Sequence, residues 1–339
     1  MKNIEEIKKL AEKVNDYWLT QMPESGNCSW ERGAYFIGCM AAYRMTGKKE
    51  YLDYALKWAN DNNWHFYRNG TGKEYRSADC KICSQTYMEL MDLVPDCGGT
   101  YEHMLKEMDF ILNDPECDYW WWVDTIYMSF PVYHMFGVKF NDERYFEKVH
   151  KLFVNSRVDR TCYDEEEHMW FRDENYIPSV KLSDSGKKIF WGRGNGWVLG
   201  GLARGLMVMP KDWKYYEEYK EVYCDMVDAL VKWQQEDGFW RCAITEPEMY
   251  DNVPETSATV LISYGIAKGI ELGILDKDTY FPYVKKAFEA MCDIALDENG
   301  KIGYVQGVAG WPGPVYPETT KDYAVGTFLL LCEEMTKLL

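Results

Sequence analysis

The sequence of 339 residues predicts an all-α protein, a closed (α/α)6 barrel, from three observations. Helical hairpins recur along the chain, strand-like alternation is sparse, and each hairpin joins a helix apolar nearly all round to an amphipathic one. A helix without a polar face belongs inside and one with a polar face belongs at the surface, so six pairs make two concentric rings. One domain spanning 1–339 accommodates them, and 47% hydrophobic residues supply a sizeable core.

The opening MKNIEEIKKLAEKV is a charged amphipathic helix, expected to pair with the last helix and close the ring. GAYFIGCMAAYRMTGKKEYLDYALKWAND, Gly33 to Asp61, is the clearest hairpin. ADCKICSQTYMELM with TYEHMLKEMDFIL is the next, and DTIYMSFPVYHMFGVKFNDERYFEKVHKLF follows from Asp124. NGWVLGGLARGLMVM from Asn195 precedes a long helix ending near Gln235. ETSATVLISYGIAKGIELGILDKDTYFPYVKKAFEAM begins at Glu255, and DYAVGTFLLLCEEMTKLL ends the chain. Strands are expected only as short hairpins in loops such as DGFWRCAI, Asp237 to Ile244.

Composition narrows the function. A net charge of -17 repels polyanions, which argues against nucleic acid and makes an arginine inside a motif conspicuous. Eleven scattered cysteines read as reduced thiols, and no secretory pattern or apolar run of membrane length occurs, so a cytosolic protein with no membrane partner is expected. Cys80 and Cys83 form a CxxC without a second pair or nearby histidine, and none of the five histidines lies in HExxH spacing. Packing accounts for the two thiols, and neither a metal nor a cofactor is expected.

Every inner helix of such a barrel enters from the same end. Asp79, Asp124, Arg193, Glu255 and Asp322, at or just before helix starts, should therefore converge on one mouth. For each acid taken singly, helix capping is the simpler reading. The loops feeding that mouth are aromatic: Trp30, Trp64, Phe66, Tyr67, DYWWWVD up to Asp124, and FWGRGNGW from Phe190. Flat amphipathic rings suit a pyranose, although Trp120 or Trp170 alone reads as packing. GRGNG lacks the spacing and the Lys-Ser/Thr ending of a phosphate loop.

WERGAYFIG, YRSADCKICSQTYMEL, WWWVDTIYMSFPV, MWFRDENYI, IFWGRGNGWVLGGL, DGFWRCAI, PETSATVLISYGIAKGI and GKIGYVQ together resemble the unsaturated glucuronyl and rhamnogalacturonyl hydrolases of glycoside hydrolase families 88 and 105, family 105 more closely. The resemblance covers nearly the whole chain. It implies the same barrel and an oligosaccharide substrate carrying a 4,5-unsaturated uronic acid left by a polysaccharide lyase. It implies Asp124 as acid and base, Asp79 as companion carboxylate, and Arg193 with Trp197 in the uronate site. Trp191, Asn195, Trp30, Arg172 and Glu255 complete the expected substrate-binding set. Arg172 stands where some members carry a histidine in a pattern like FYHxWDE.

The double bond of such a substrate is an enol ether. Protonation at C4 gives an oxocarbenium ion that water attacks at C5, and the hemiketal then opens and releases the neighbouring sugar. One carboxyl group can serve both steps if it starts protonated. Burial behind three tryptophans and the nearby Asp79 should raise the pKa of Asp124, whereas a helix N-terminus opposes the rise. Arg193 suits a planar carboxylate, Gly192, Gly194 and Gly196 should let the backbone approach the ligand, and Trp197 should stack on its ring. The same barrel also serves epimerases and binding proteins. An epimerase needs histidines as acid and base, and the inner helices carry only His134. Nothing in the motifs names the linked sugar or sets an oligomeric state.

Overall fold

The computed structural model describes residues 2–67 and 72–339, and among them twelve α-helices dominate. The inner helices are α2 (Trp30–Thr46), α4 (Cys83–Leu93), α6 (Thr125–Phe140), α8 (Gly192–Val208), α10 (Thr256–Glu271) and α12 (Asp322–Leu338). Their partners outside are α1 (Ile4–Gln21), α3 (Lys49–Asp61), α5 (Glu102–Asn113), α7 (Arg144–Val154), α9 (Tyr216–Val231) and α11 (Lys277–Ala290). Each inner helix packs on the next, and α12 packs on α2, so the ring closes. The opening helix α1 lies against both α2 and α12, as its amphipathic pattern requires.

The two helix classes follow from their patterns. In α10 every residue from Thr256 to Ile270 is buried, whereas α7 buries Tyr145, Phe146, Val149, Leu152 and Phe153 on one stripe. Outer helices carry their own start signals: Asn3 and Glu6 form a capping box on α1, and Asp276 accepts from the Thr279 N–H of α11. No described helix is long and apolar enough to cross a membrane.

The strands differ from expectation. The one named hairpin among the described residues pairs β1 (Tyr163–Asp164) with β2 (Met169–Trp170). DGFWRCAI forms a single bridge, Ala243 with Trp191. Its backbone is taken by inner helix starts: Gly192 N–H donates to the Cys242 carbonyl, and Trp240 N–H donates to Thr259 Oγ1. No hairpin partner of its own remains.

Candidate active site

The starts of the inner helices surround a cavity of about 320 Å³ lined by Trp30, Asp79, Trp122, Asp124, Met128, Arg172, Arg193 and the loop Val308 to Trp311. Asp79 sits in the turn before α4. That turn is held by Lys81, whose ammonium donates to the carbonyls of Tyr75 and Ser77, and by Ser129 of α6, whose hydroxyl donates to Ala78 O at 2.9 Å. The backbone carrying one acid is thereby tied to the helix that starts with the other.

Asp124 precedes α6 with a helical backbone, φ -56 and ψ -25, and makes no side-chain cap. Capping needs an extended backbone at that position, which would turn the carboxylate back over the first N–H groups. Instead its Oδ2 is buried without a hydrogen-bond partner. Burial pushes the pKa upward, opposed by the positive charges of Arg172 and Arg193 and helped by Asp173. Burial wins, and the balance that the sequence left open falls toward the protonated acid.

Two arginines line the same cavity and are used differently. Arg193 is buried, its Nη1 donating to Gln306 O at 2.9 Å and to Ser257 Oγ at 3.4 Å, its Nη2 to Gly307 O at 3.0 Å and Ala309 O at 3.2 Å. Its guanidinium also lies 4.6 Å from the ring centre of Trp191 and 5.0 Å from that of Tyr323. Arg172 is ion-paired with Asp173 through Nη1 and lies 4.9 Å over Trp121, while its Nε is buried without a partner. One cation has both terminal nitrogens held by a loop; the other has a buried donor without a partner.

Residues 3–339 match the family profile described as Glycosyl Hydrolase Family 88. The chain belongs to glycosyl hydrolase family 88. A Formosa agariphila protein named unsaturated 3S-rhamnoglycuronyl hydrolase is 32% identical over 327 residues, 91% of this chain and 84% of that protein. A solved structure of a family 88 glycosyl hydrolase from Bacteroides vulgatus is 32% identical with a TM-score of 0.92 and full coverage of both chains, 100% each. A second, named a polysaccharide lyase, is 35% identical over 98% of this chain and 97% of that one, also at 0.92. A family 105 hydrolase of C. acetobutylicum, 22% identical over 96% of this chain and 99% of that one, shares the fold at 0.79.

Within this family 88 glycoside hydrolase, several residues expected at the mouth have other employment. Glu255 has an extended backbone, φ -124 and ψ 109, and is a true N-cap. It is buried, accepts from the N–H groups of Ser257, Ala258 and Gln306 and from the Ser257 hydroxyl, and does not line the cavity. Asp322 accepts from Arg32 at 2.8 Å and from the Trp18 indole at 2.9 Å, joining α12 to α2 and α1. Asn195 is spent on the backbone of Trp170 and Trp191. Trp197 is wholly buried beneath the cavity, 4.6 Å from Tyr127 and edge-on to Trp30 at 6.4 Å, so it supports the cavity wall from below. Trp191 donates its indole N–H to Gln306 at 2.8 Å. Trp64 and Phe66 belong to the core.

The glycines of GRGNG also serve packing. A Cβ on Gly192 would stand 2.3 Å from the Arg241 carbonyl, and one on Gly196 would stand 2.7 Å from Leu261. They let α8 approach its neighbours, not a ligand. The three adjacent tryptophans divide three ways: Trp120 is core, Trp121 stacks under Arg172, and Trp122 faces the cavity. Gln306 and Met128 lie inside the motifs GKIGYVQ and WWWVDTIYMSFPV but carry no assigned role there, and the 308–311 loop lies outside every motif. Gln306 is the hub that Glu255, Trp191, Arg193 and Tyr323 all hold, Tyr323 by donating its hydroxyl to Gln306 O at 2.6 Å.

Proposed function

We propose that this glycoside hydrolase cleaves oligosaccharides ending in a 4,5-unsaturated uronic acid, by protonation at C4 and hydration at C5. The observation that carries this reading is the Asp124 carboxyl: buried, raised in pKa, unpartnered at Oδ2 and at the wall of an aromatic cavity. A single carboxyl poised in its acid form suits the enol-ether route, where one group gives a proton to C4 and then takes one from water. Asp79 shares the cavity as the companion acid. Arg172, with its unfilled Nε, is better suited to the uronate carboxylate than Arg193, whose two terminal nitrogens are both held by backbone carbonyls. Trp30 and Trp122 supply ring faces.

Two relatives named unsaturated 3S-rhamnoglycuronyl hydrolase, 32% and 25% identical, favour a uronyl group linked to rhamnose. The supplier of such a substrate is a polysaccharide lyase, whose β-elimination creates the C4=C5 bond. The eleven cysteines form no disulfide framework and seven of them are buried, which favours a reducing compartment, and we assign the cytosol on that ground.

The test is the ultraviolet absorbance of the double bond in lyase-generated disaccharides. Hydration removes it, whereas a lyase acting on saturated polymer would create it, so a gain of absorbance would favour the activity for which the 35% identical neighbour is named. In heavy water the product should carry deuterium at C4, and labelled water should place its oxygen at C5. Label at C1 of the released uronic acid would instead mean direct attack on the glycosidic carbon.

A further inference from the structure

We propose that a second sugar subsite adjoins the cavity, in a cleft of about 270 Å³ lined by Tyr176, Lys181, Asp184, Tyr250 and Trp311, and that it takes a further pyranose ring on the leaving-group side. The proposal rests on the unsaturated-uronide reading. A sugar made unsaturated by a lyase is the end of its chain, so every ring beyond the scissile bond lies on the other side of that bond. Trp311 is common to both hollows and connects them.

Trp311 is 55% exposed, yet its backbone is held in place. Gln306 Nε2 donates to Trp311 O at 2.8 Å, and the Cys242 thiol donates to Gly313 O at 3.0 Å. An exposed ring on an anchored backbone is a preorganised stacking face, with little ordering left to be done on binding. Across the cleft, Tyr250, Asp251 and Asn252 all take left-handed φ angles of 64°, 62° and 52°. A bulky residue adopts that conformation only where its surroundings impose it. Here Asn252 Oδ1 accepts from Arg241, which is itself ion-paired with Asp237 at 2.7 Å. The strained turn holds the Tyr250 ring, 38% exposed, at the cleft. Lys181, 4.9 Å from the Tyr176 ring centre, and Asp184 add a donor and an acceptor for hydroxyl groups.

The test compares kcat/KM for an unsaturated disaccharide and an unsaturated tetrasaccharide of alternating uronate and rhamnose. The tetrasaccharide should be favoured by about 3- to 10-fold, the range of one or two ring-stacking contacts. In Tyr250→Asn, which tolerates the left-handed backbone and removes the ring, that ratio should fall to about one. A wild-type ratio of one, or a ratio unchanged in a folded Tyr250→Asn, overturns the subsite while leaving the hydrolase reading intact. Absence of turnover on both substrates overturns the hydrolase reading and the subsite with it.

Discussion

Asp124 and Glu255 occupy equivalent places, each just before the first turn of an inner helix, and the structure employs them in opposite ways. Glu255 is extended and gives its carboxylate to the start of α10 and to the loop at Gln306; Asp124 is already helical, so its carboxylate misses the N–H groups and faces the cavity. The contrast extends to the two walls. On the α8–α10 side, Glu255, Arg193, Trp191 and Gln306 satisfy one another. On the α6 side, Asp124 Oδ2 and Arg172 Nε are buried without partners. Buried polar groups are costly when unpaired, so the side that leaves them unpaired is the side we propose for the substrate.

The sharpest test of that contrast is Asp124→Asn. Turnover should fall by about 10²- to 10⁴-fold, the usual loss when acid-base catalysis is removed, with substrate binding largely kept. Stability should not fall. Folding raises this carboxyl above its ordinary 3.8, so its contribution is present below that value and lost as pH rises through the folded pKa. At neutral pH the neutral Asn should therefore unfold at the same temperature as Asp or higher. Retained turnover would erase the distinction between the walls.

Glu255→Ala should do the reverse in kind, lowering stability and activity together. It strands the buried N–H groups of Ser257, Ala258 and Gln306 at about 1–3 kcal/mol each, so urea unfolding should record a loss of at least about 3 kcal/mol. An unaltered unfolding midpoint would show the loop at Gln306 to be held without it.

Arg172→Met keeps much of the stacking length and removes the charge. KM for the unsaturated uronide should rise by about 10- to 100-fold, the worth of a charge-assisted hydrogen bond. Because the Arg172 charge lowers the Asp124 pKa, its removal should also move the high-pH limb of kcat upward, the acid form persisting to higher pH. A limb that moves downward would contradict the assigned electrostatics.

The smallest effect is expected of Gly310→Ala. Its Cβ would stand 3.1 Å from Nε and Nη2 of Arg172, a contact the flexible guanidinium can relieve by shifting slightly. A KM increase of a few-fold at most, well below that of Arg172→Met, would mark the guanidinium as the group whose position matters. A change in stability without one in KM would remove Arg172 from the carboxylate role.

The barrel was legible because its signals are local. Apolar residues on every face of a segment such as Thr256 to Ile270 dictate an inner helix wherever it lies, and alternating inner and outer types dictate a ring. The convergence of Asp79, Asp124 and Arg193 followed from that topology, and all three line the cavity. What each does there was not local. Whether an acid before a helix caps it turns on the backbone of one residue, and Asp124 and Glu255 differ there for reasons set by the loops that deliver them. Arg193 looked like a free cation because its acceptors, the carbonyls of Gln306, Gly307 and Ala309, lie more than a hundred residues along the chain in a loop without periodicity. Helical periodicity determines which residues reach the mouth; only the packed loops, by pairing some polar groups and leaving others unpaired, decide which are left for chemistry.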